Sequence, residues 1–300
     1  MPSESELIAA FLAPFGGGEG VGSDCACVRV SRGMKLVATT DAVVQGVHFT
    51  LPGFSPEEVG WKALAVNLSD LAAAGARPRW FLCALGVPPS SRVLPLVVRM
   101  AKGMAPLARR FGCALVGGNV SRASEWSLTI TALGEARRPL TRAGARPGDA
   151  LVLVGKLGDA AAGLRGTRRG LLAQRRPVPL VAEGLVAARF ATAAIDVSDG
   201  FLRDLGHLCE QSRCGAEVEV SQLPLGPAAR SRPDGLALAL TGGEDYALLF
   251  AVPRQRLAAF QRALPCAVVG RMTRTRRIAL LQHGLPHRAP PTTGFDHFKP

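Results

Sequence analysis

The chain has 300 residues, 48% of them hydrophobic and 20% charged, which argues against a disordered protein and suffices for two domains with separate cores. Its 36 Lys and Arg exceed its 23 Asp and Glu, giving a formal net charge of +13. Because the arginines are spread along the chain and one Tyr is available for base stacking, this surplus favours a generally basic surface over a nucleic-acid patch.

Targeting and redox signals are weak. No run approaches the roughly 20 apolar residues of a membrane-spanning helix, and Glu4 and Glu6 stand where a secretory signal would be basic. We therefore expect a cytoplasmic protein with neither membrane nor nucleic-acid partners. The seven cysteines are odd in number and lack zinc-like spacing, so we interpret them, Cys25 and Cys27 included, as buried small hydrophobic residues.

In the first half of the chain, strand-like and helix-like runs alternate. Lys35–Thr40 predicts a strand that ends on Asp41, and Ser55 followed by Pro56 predicts the start of a helix that runs to about Ala74. The further elements predicted here are strands over Trp80–Val87, Ala114–Val116 and Leu128–Gly134 and a helix over Val93–Phe111.

The Gly- and Pro-rich segment Ala143–Gly148 predicts a domain boundary near residue 140, dividing the chain into residues 1–140 and 141–300. In the second half, Asp199–Cys214 has helical periodicity, with Asp199 as a candidate N-cap and Gly215 as a candidate C-cap. The strands predicted here are Ala150–Val154, Ala194–Val197, Ala216–Val220, Tyr246–Val252 and Ala267–Val269. This alternation predicts an α/β or α+β fold class.

Phosphate-binding loops of the common kinds are missing from the sequence, which contains neither G-x-x-x-x-G-K-[ST] nor G-x-G-x-x-G. Aspartates instead stand at predicted strand ends and turns, where short carboxylates suit Mg²⁺. Taken singly, each is more typical of a helix cap or a turn. These residues are Asp24, Asp41, Asp70, Asp196 and Asp199.

Six segments follow one another in a characteristic order. They are TTDAVVQGVHF at 39–49, WKALAVNLSDLAAAGARP at 61–78, LTRAGA at 140–145, IDVSDGF at 195–201, GGEDY at 242–246 and GFDHF at 294–298. Each alone is a weak signal, but together they resemble the motifs of the thiamine-monophosphate kinase family over nearly the whole chain.

The resemblance implies a mixed α+β and α/β fold of two domains, shared with aminoimidazole ribonucleotide synthetase. Residues 1–140 would bind metal and ATP and would join their sheet to a second subunit's in a barrel-like homodimer. Residues 141–300 would form a C-terminal α+β domain. The implied activity is the ATP-dependent phosphorylation of thiamine monophosphate to thiamine diphosphate, with several Mg²⁺ ions, in thiamine diphosphate biosynthesis.

The resemblance also implies roles for individual residues. The metal positions are Asp24, Thr39, Thr40, Asp41, Asp70, Asn119, Asp196 and Asp199. The ATP positions are Phe111, Gly118, Asn119, Arg142 and Ser198, and the thiamine-phosphate positions are His48, Glu244 and Phe295. No acid or base is implied, because the attacking phosphate oxygen is already ionised, and the metals with Arg142 would offset the repulsion between the two phosphates.

Three positions depart from the family pattern. Ser23 replaces an Asp in Gly22-Ser23-Asp24, Asn119 replaces an Asp after Gly117-Gly118, and Leu180 stands where members often carry Arg. These departures keep open a protein that binds nucleotide or thiamine phosphate without turnover. Another ATP-using member of the same fold is a further alternative, such as selenophosphate synthetase, the hydrogenase maturation protein or aminoimidazole ribonucleotide synthetase itself. Residues 47–49 and 294–298 favour thiamine over these.

Overall fold

The computed structural model describes residues 2–17, 21, 24–51, 53–90, 92–290 and 294–295. The chain divides into two compact units, one made of residues 1–71 and 77–137 and the other of residues 72–76 and 138–300. Within the described residues, no helix combines the length and the apolar character needed to cross a membrane.

Among the described residues, the first unit contains a four-stranded sheet and three α-helices. Its strands are ordered β1-β4-β2-β3, and all pairs are antiparallel except β2 with β3. Its elements are α1 (Glu4–Leu12), β1 (Lys35–Val44), α2 (Pro56–Ala73), β2 (Arg77–Val87), α3 (Val93–Phe111), β3 (Ala114–Arg122) and β4 (Ser127–Ala136), of which the last residues of α2 group with the second unit.

One face of this sheet is buried and the other is open. In β4, Leu128, Ile130 and Ala132 are fully buried, whereas Thr129 and Thr131 between them are partly exposed. This alternation with period two is typical of an antiparallel sheet covered on one side.

Two glycines bring α2 and α3 into backbone contact. A Cβ added at Gly60 would lie 1.9 Å from the carbonyl oxygen of Met100, and one added at Gly103 would lie 2.0 Å from that of Glu57. Glycine is costly inside a helix, so its presence at both sides of the crossing reflects the close approach of the helices.

The second unit is built on a seven-stranded mixed sheet, ordered β11-β10-β7-β9-β5-β8-β6. Two of its inner strands, Ala150–Val154 and Ala247–Val252, are buried along their whole length. Its elements are β5 (Ala150–Val154), α4 (Asp159–Leu164), α5 (Arg168–Arg175), α6 (Val181–Ala187), β6 (Ala193–Val197), α7 (Phe201–Ser212), β7 (Gly215–Glu219), α8 (Pro227–Arg230), α9 (Gly235–Thr241), β8 (Ala247–Val252), α10 (Arg254–Ala263), β9 (Ala267–Thr273), β10 (Ile278–Gln282) and β11 (Leu285–Pro286).

Several sequence-based expectations need correction. Strand β1 does not end on Asp41 but continues to Val44, because its pairing with β4 is unbroken from Lys35 to Val44. Gly215 is not a C-cap, since α7 ends at Ser212, the C-cap is Arg213 in the left-handed conformation, and Gly215 begins β7.

The cysteines also differ from expectation at three positions. Cys83, Cys113, Cys209 and Cys214 are buried, as predicted, but Cys266 is only partly buried, and Cys25 and Cys27 are exposed. The latter two lie before β1, outside any helix or strand that would bury them.

We predict that Gly60→Ala lowers the free energy of unfolding of the first unit by about 3 kcal/mol, because the added methyl group must push α2 away from α3. Chemical denaturation monitored by circular dichroism measures the change. The matched control is Gly206→Ala in the interior of α7, where an added Cβ meets nothing within 4 Å. That variant should be neutral or more stable by roughly 0.5 kcal/mol, and equal losses in both variants would contradict the prediction.

Candidate active site

In the first unit, β1 and α2 bring together three of the predicted metal-binding residues. Thr39 and Asp41 are two residues apart and therefore point to the same face of the strand. The Thr39 hydroxyl donates to Asp70 Oδ2 at 2.5 Å, and the Asp41 backbone N–H donates to Asn67 Oδ1 at 3.0 Å. Asn67 and Asp70 are three residues apart in α2 and so share a helix face.

Asn67 is a residue to which the sequence analysis gave no role. It is completely buried, and its Nδ2 donates to the Ala63 carbonyl oxygen at 3.0 Å, which leaves Oδ1 directed at Asp41. A buried polar side chain inside an otherwise apolar helix was the available signal. Asn67 therefore fixes the backbone of Asp41 relative to α2.

The structure does not bring the Thr40 hydroxyl to Thr39 and Asp41. Thr40 points to the opposite, open face, where its hydroxyl lies 3.1 Å from the Ile130 carbonyl oxygen and 3.2 Å from the Thr131 hydroxyl. A cavity of about 560 Å³ includes this face, and Thr131, Asp24, Gly118 and Asn119 are among its lining residues. The predicted residues of the first unit thus fall on two faces of one sheet.

His48 follows β1 in a short turn held by Lys62. The Val44 backbone N–H donates to His48 Nδ1 at 3.1 Å, which orients the ring. Lys62 Nζ donates to the His48 carbonyl oxygen at 3.2 Å and lies 5.4 Å from the centre of the Phe54 ring. Since Lys62 is only 1% exposed, this buried ammonium group anchors the turn from the interior.

Phe111, a predicted ATP contact, is the last residue of α3 and is half-buried. The Arg110 guanidinium lies 5.1 Å from the centre of its ring. Phe111 is not among the residues that line the 560 Å³ cavity with Gly118 and Asn119.

In the second unit, the backbone that follows β6 wraps around one carboxylate. Asp204 Oδ2 accepts hydrogen bonds from the backbone N–H groups of Ser198, Asp199 and Gly200, at 3.0, 3.1 and 3.1 Å. The N-cap of α7 is Gly200, with φ 127° and no capping side chain, so the interpretation of Asp199 as the cap was wrong. Asp204, in the first turn of the helix, satisfies those amide groups instead.

The carbonyl groups of the same segment bind two other predicted site segments. The Glu244 N–H donates to the Ser198 oxygen at 2.7 Å, and the Phe295 N–H donates to the Asp199 oxygen at 2.9 Å. Gly294 has φ 152°, and a Cβ there would lie 2.6 Å from the Asp199 oxygen, which explains glycine at that position. Ser198, Asp199, Glu244 and Phe295 therefore converge at one place.

The electrostatics of this segment are dominated by acids. Burial raises the pKa of Asp204 to about 7, the nearby charge of Asp199 adds to the effect, and the three amide donors oppose it. Arg203 Nε lies 3.4 Å from Asp199 Oδ2. Asp196 is 4% exposed on the edge strand β6.

Arg142 lies elsewhere in the second unit. Its carbonyl oxygen accepts from the Ser212 hydroxyl at 2.7 Å. Ser212 ends α7, roughly 18 Å along the helix from Gly200 at its start. Its backbone is thus remote from the point where Ser198, Glu244 and Phe295 meet.

The oxygen atoms at these positions are of the kinds that bind Mg²⁺, but few carboxylates lie together in any one group. Carboxylate, amide and hydroxyl oxygens are the ligands that Mg²⁺ prefers. Within the part of the chain that the structure describes, no group of three or more His, Cys, Asp or Glu side chains is arranged to hold a metal. Mg²⁺ in phosphate-transferring sites uses one or two carboxylates plus substrate phosphates and water, so the Asp41 and Asp70 region suits it.

Known families account for both units. Two family models match the chain. The AIR synthase related protein N-terminal domain matches residues 22–136, and the AIR synthase related protein C-terminal domain matches residues 146–282. The thiamine-monophosphate kinase of Salmonella typhimurium is 38% identical over 302 residues, covering 93% of this chain and 91% of the relative. The chain belongs to the thiamine-monophosphate kinase family. The recognition from sequence motifs and the expectation of a kinase are thereby confirmed.

Solved structures of the thiamine-monophosphate kinase family share the fold. The enzyme of Stenotrophomonas maltophilia K279a has a TM-score of 0.83 at 35% identity, covering 94% of this chain and 97% of its own. AaThiL complexed with AMPPCP and TMP has a TM-score of 0.81 at 30% identity, covering 99% of both chains. The predicted two-domain fold class is confirmed, whereas the barrel-like dimer and the separate roles of residues 1–140 and 141–300 stay predictions.

Two of the sequence motifs reach beyond the described residues. Ser23 lies outside them, as do residues 296–298 of the terminal motif. Leu180 lies between α5 and α6, where it precedes the first residue of α6.

We predict that Asp204→Ala lowers the free energy of unfolding by about 3 kcal/mol, because three backbone N–H groups lose their acceptor at once. Urea titration followed by fluorescence measures the loss. Glu210→Ala, on the exposed side of α7, is the matched control and should cost less than about 0.5 kcal/mol. Equal stability of Asp204→Ala and wild type would mean that water replaces the carboxylate without cost.

Proposed function

We propose that this protein transfers the γ-phosphoryl group of ATP to thiamine monophosphate, producing thiamine diphosphate and ADP with the help of Mg²⁺. The observation that carries the proposal is the convergence of Ser198, Asp199, Glu244 and Phe295 through backbone hydrogen bonds. Three separate sequence motifs meet there. Membership of the thiamine-monophosphate kinase family supports the assignment, as does the AaThiL structure complexed with AMPPCP and TMP.

Glu244 and Phe295 suit the chemistry of thiamine. The thiazolium ring carries a positive charge, which a carboxylate attracts, and half of the surface of Phe295 is exposed. An aromatic face contributes roughly 1 kcal/mol or more to binding a desolvated cation. We assign Glu244 and Phe295 to the thiamine rings and His48, whose ring is oriented by Val44, to the same substrate.

The aspartates suit the phosphates through metal ions. In the first unit, Asp41 and Asp70 would hold Mg²⁺, and in the second unit Asp196 and Asp199 would do so. The bound ions supply positive charge that offsets the repulsion between two polyanions and favours in-line displacement. Asn67 and Asp204 hold the backbone of Asp41 and Asp199 in place, and no side chain is needed as a base.

The open face of the first sheet suits the nucleotide. Gly118, Asn119 and Asp24 line the same cavity of about 560 Å³, which is within the usual size range of small-molecule sites. We assign this cavity to ATP. Phe111, Arg142 and Ser198 stay ATP contacts that the family resemblance predicts.

The homodimer is also part of the proposal. Leu36, Ala38 and Thr40 alternate along β1 on the sheet face opposite the helices, and all three are exposed. Leu36 is 47% exposed. Because these three residues do not line the cavity assigned to ATP, a second copy of the chain would cover this strip of the face beside that cavity.

The decisive experiment is an assay of the pure protein with thiamine monophosphate, ATP and Mg²⁺, in which thiamine diphosphate and ADP are separated and quantified. We expect thiamine diphosphate and ADP to form in equal amounts, and we expect both to be lost when excess chelator removes the metal.

We further expect Asp41→Asn and Asp199→Asn each to reduce the turnover number by at least about 100-fold, since a lost carboxylate removes both charge and a ligand.

Asp234→Asn is the matched control for these variants. Asp234 forms a surface ion pair with Arg232 at 2.7 Å, and its loss should leave turnover unchanged. Calorimetry measures the binding of thiamine monophosphate, and the same assay measures the formation of thiamine diphosphate. Binding without product formation would show a binding protein and refute the kinase proposal.

Asn119 offers a second prediction about the metal. Asn retains one carbonyl oxygen but no charge, so Asn119→Asp should lower the Mg²⁺ concentration that gives half-maximal rate by about threefold. The control is Ser121→Asp, which adds the same charge two residues further along β3 on an exposed position. Rates are titrated against free Mg²⁺ at saturating ATP, and superimposable curves for wild type and Asn119→Asp would show that position 119 does not contact the metal.

A further inference from the structure

Gln174 contacts the side chain of a predicted substrate-binding residue from a helix to which no motif points. It lies near the end of α5 and is only 4% exposed. Its Nε2 donates a hydrogen bond to Glu244 Oε2 at 3.0 Å. Burying an amide is costly unless the amide is hydrogen-bonded, so this contact is a built feature of the second unit.

The backbone of Glu244 is constrained by the conformation of its turn and by hydrogen bonds to the end of β6. Glu244 has φ 67° and Tyr246 has φ 51°, left-handed values that are uncommon for residues other than glycine. The Ser198 oxygen accepts from the Glu244 N–H at 2.7 Å, and the Val197 oxygen accepts from the Tyr246 N–H at 2.8 Å. The turn is therefore fastened to the end of β6.

Helices α4 and α5 hold Gln174 in position. Asp245, next to Glu244, accepts from the Gly158 N–H at 2.6 Å and more weakly from the Ala160 N–H at 3.4 Å at the start of α4. A Cβ added at Gly163 of α4 would lie 2.3 Å from the backbone of Gly170 in α5. The turn therefore contacts α4 through Asp245, α4 packs against α5, and α5 contacts the turn again through Gln174.

We propose that Gln174 is a positioning residue that sets the affinity for the cationic substrate by orienting the Glu244 carboxylate. An amide donor directs the carboxylate without adding positive charge of its own, unlike the two arginines that follow Gln174 in the sequence, Arg175 and Arg176. The negative charge that Glu244 presents to a thiazolium ring is therefore not reduced by Gln174. This inference rests on the proposed function and adds a specificity role to the same site.

The test replaces Gln174 with Met, which keeps the length and flexibility of the side chain but cannot donate a hydrogen bond. We expect the KM for thiamine monophosphate to rise about tenfold, with the KM for ATP and the turnover number within about twofold of wild type. Gln174→Glu, which places a like charge beside Glu244, should raise the same KM further. Gln211→Met, at an exposed glutamine of α7, is the matched control and should change neither KM.

A double variant separates orientation from general packing. If Gln174 acts through Glu244, adding Gln174→Met to Glu244→Gln should raise the KM for thiamine monophosphate by less than twofold beyond the Glu244→Gln value. An unchanged KM in Gln174→Met, or an equal rise for both substrates, would overturn the inference. If Gln174→Met does not fold, the same comparison with Gln174→Glu decides. Wild-type protein that makes no thiamine diphosphate would instead refute the proposed function itself.

Discussion

The second unit depends on one carboxylate that collects three consecutive backbone amides. Asp204 accepts from the N–H groups of Ser198, Asp199 and Gly200, which forces the chain to turn sharply between β6 and α7. With the N–H groups turned inward, the carbonyl oxygens of residues 197–199 point the other way and accept from Tyr246, Glu244 and Phe295. Unsatisfied buried amides are costly. Without Asp204 the three peptide groups would lose the partner that orients them, and their carbonyl contacts would lose their alignment.

The first unit uses the same principle with different groups. Its helix α2 is buried almost throughout, yet it carries Lys62, Asn67 and Ser69 in its interior. Lys62 holds the turn at His48 and Asn67 holds the backbone of Asp41. Polar side chains that are buried and hydrogen-bonded specify one arrangement of strand and helix, so Asp41 and His48 are held in fixed positions relative to α2.

The net charge of the molecule and the charge at the candidate site have opposite signs. A formal net charge of +13 attracts anions in general, but the residues at the candidate site are mostly acidic. Carboxylates repel phosphates unless cations lie between them, and Asp199 already raises the pKa of the neighbouring Asp204 carboxyl. The basic surface bears on association with anionic substrates rather than on the chemical step.

The sequence alone was enough to predict most of the elements, because local patterns decide them. Helix α3 spans Val93–Phe111 as predicted, and the apolar runs of β5, β6 and β8 form strands. Family motifs also identified the kinase. The roles of Asn67, Asp204 and Gln174 emerged only from the tertiary structure. Each acts through specific hydrogen bonds, and a sequence pattern does not show which groups those bonds join. The same holds for Thr40, whose hydroxyl faces away from Thr39 and Asp41 because side chains alternate along a paired strand.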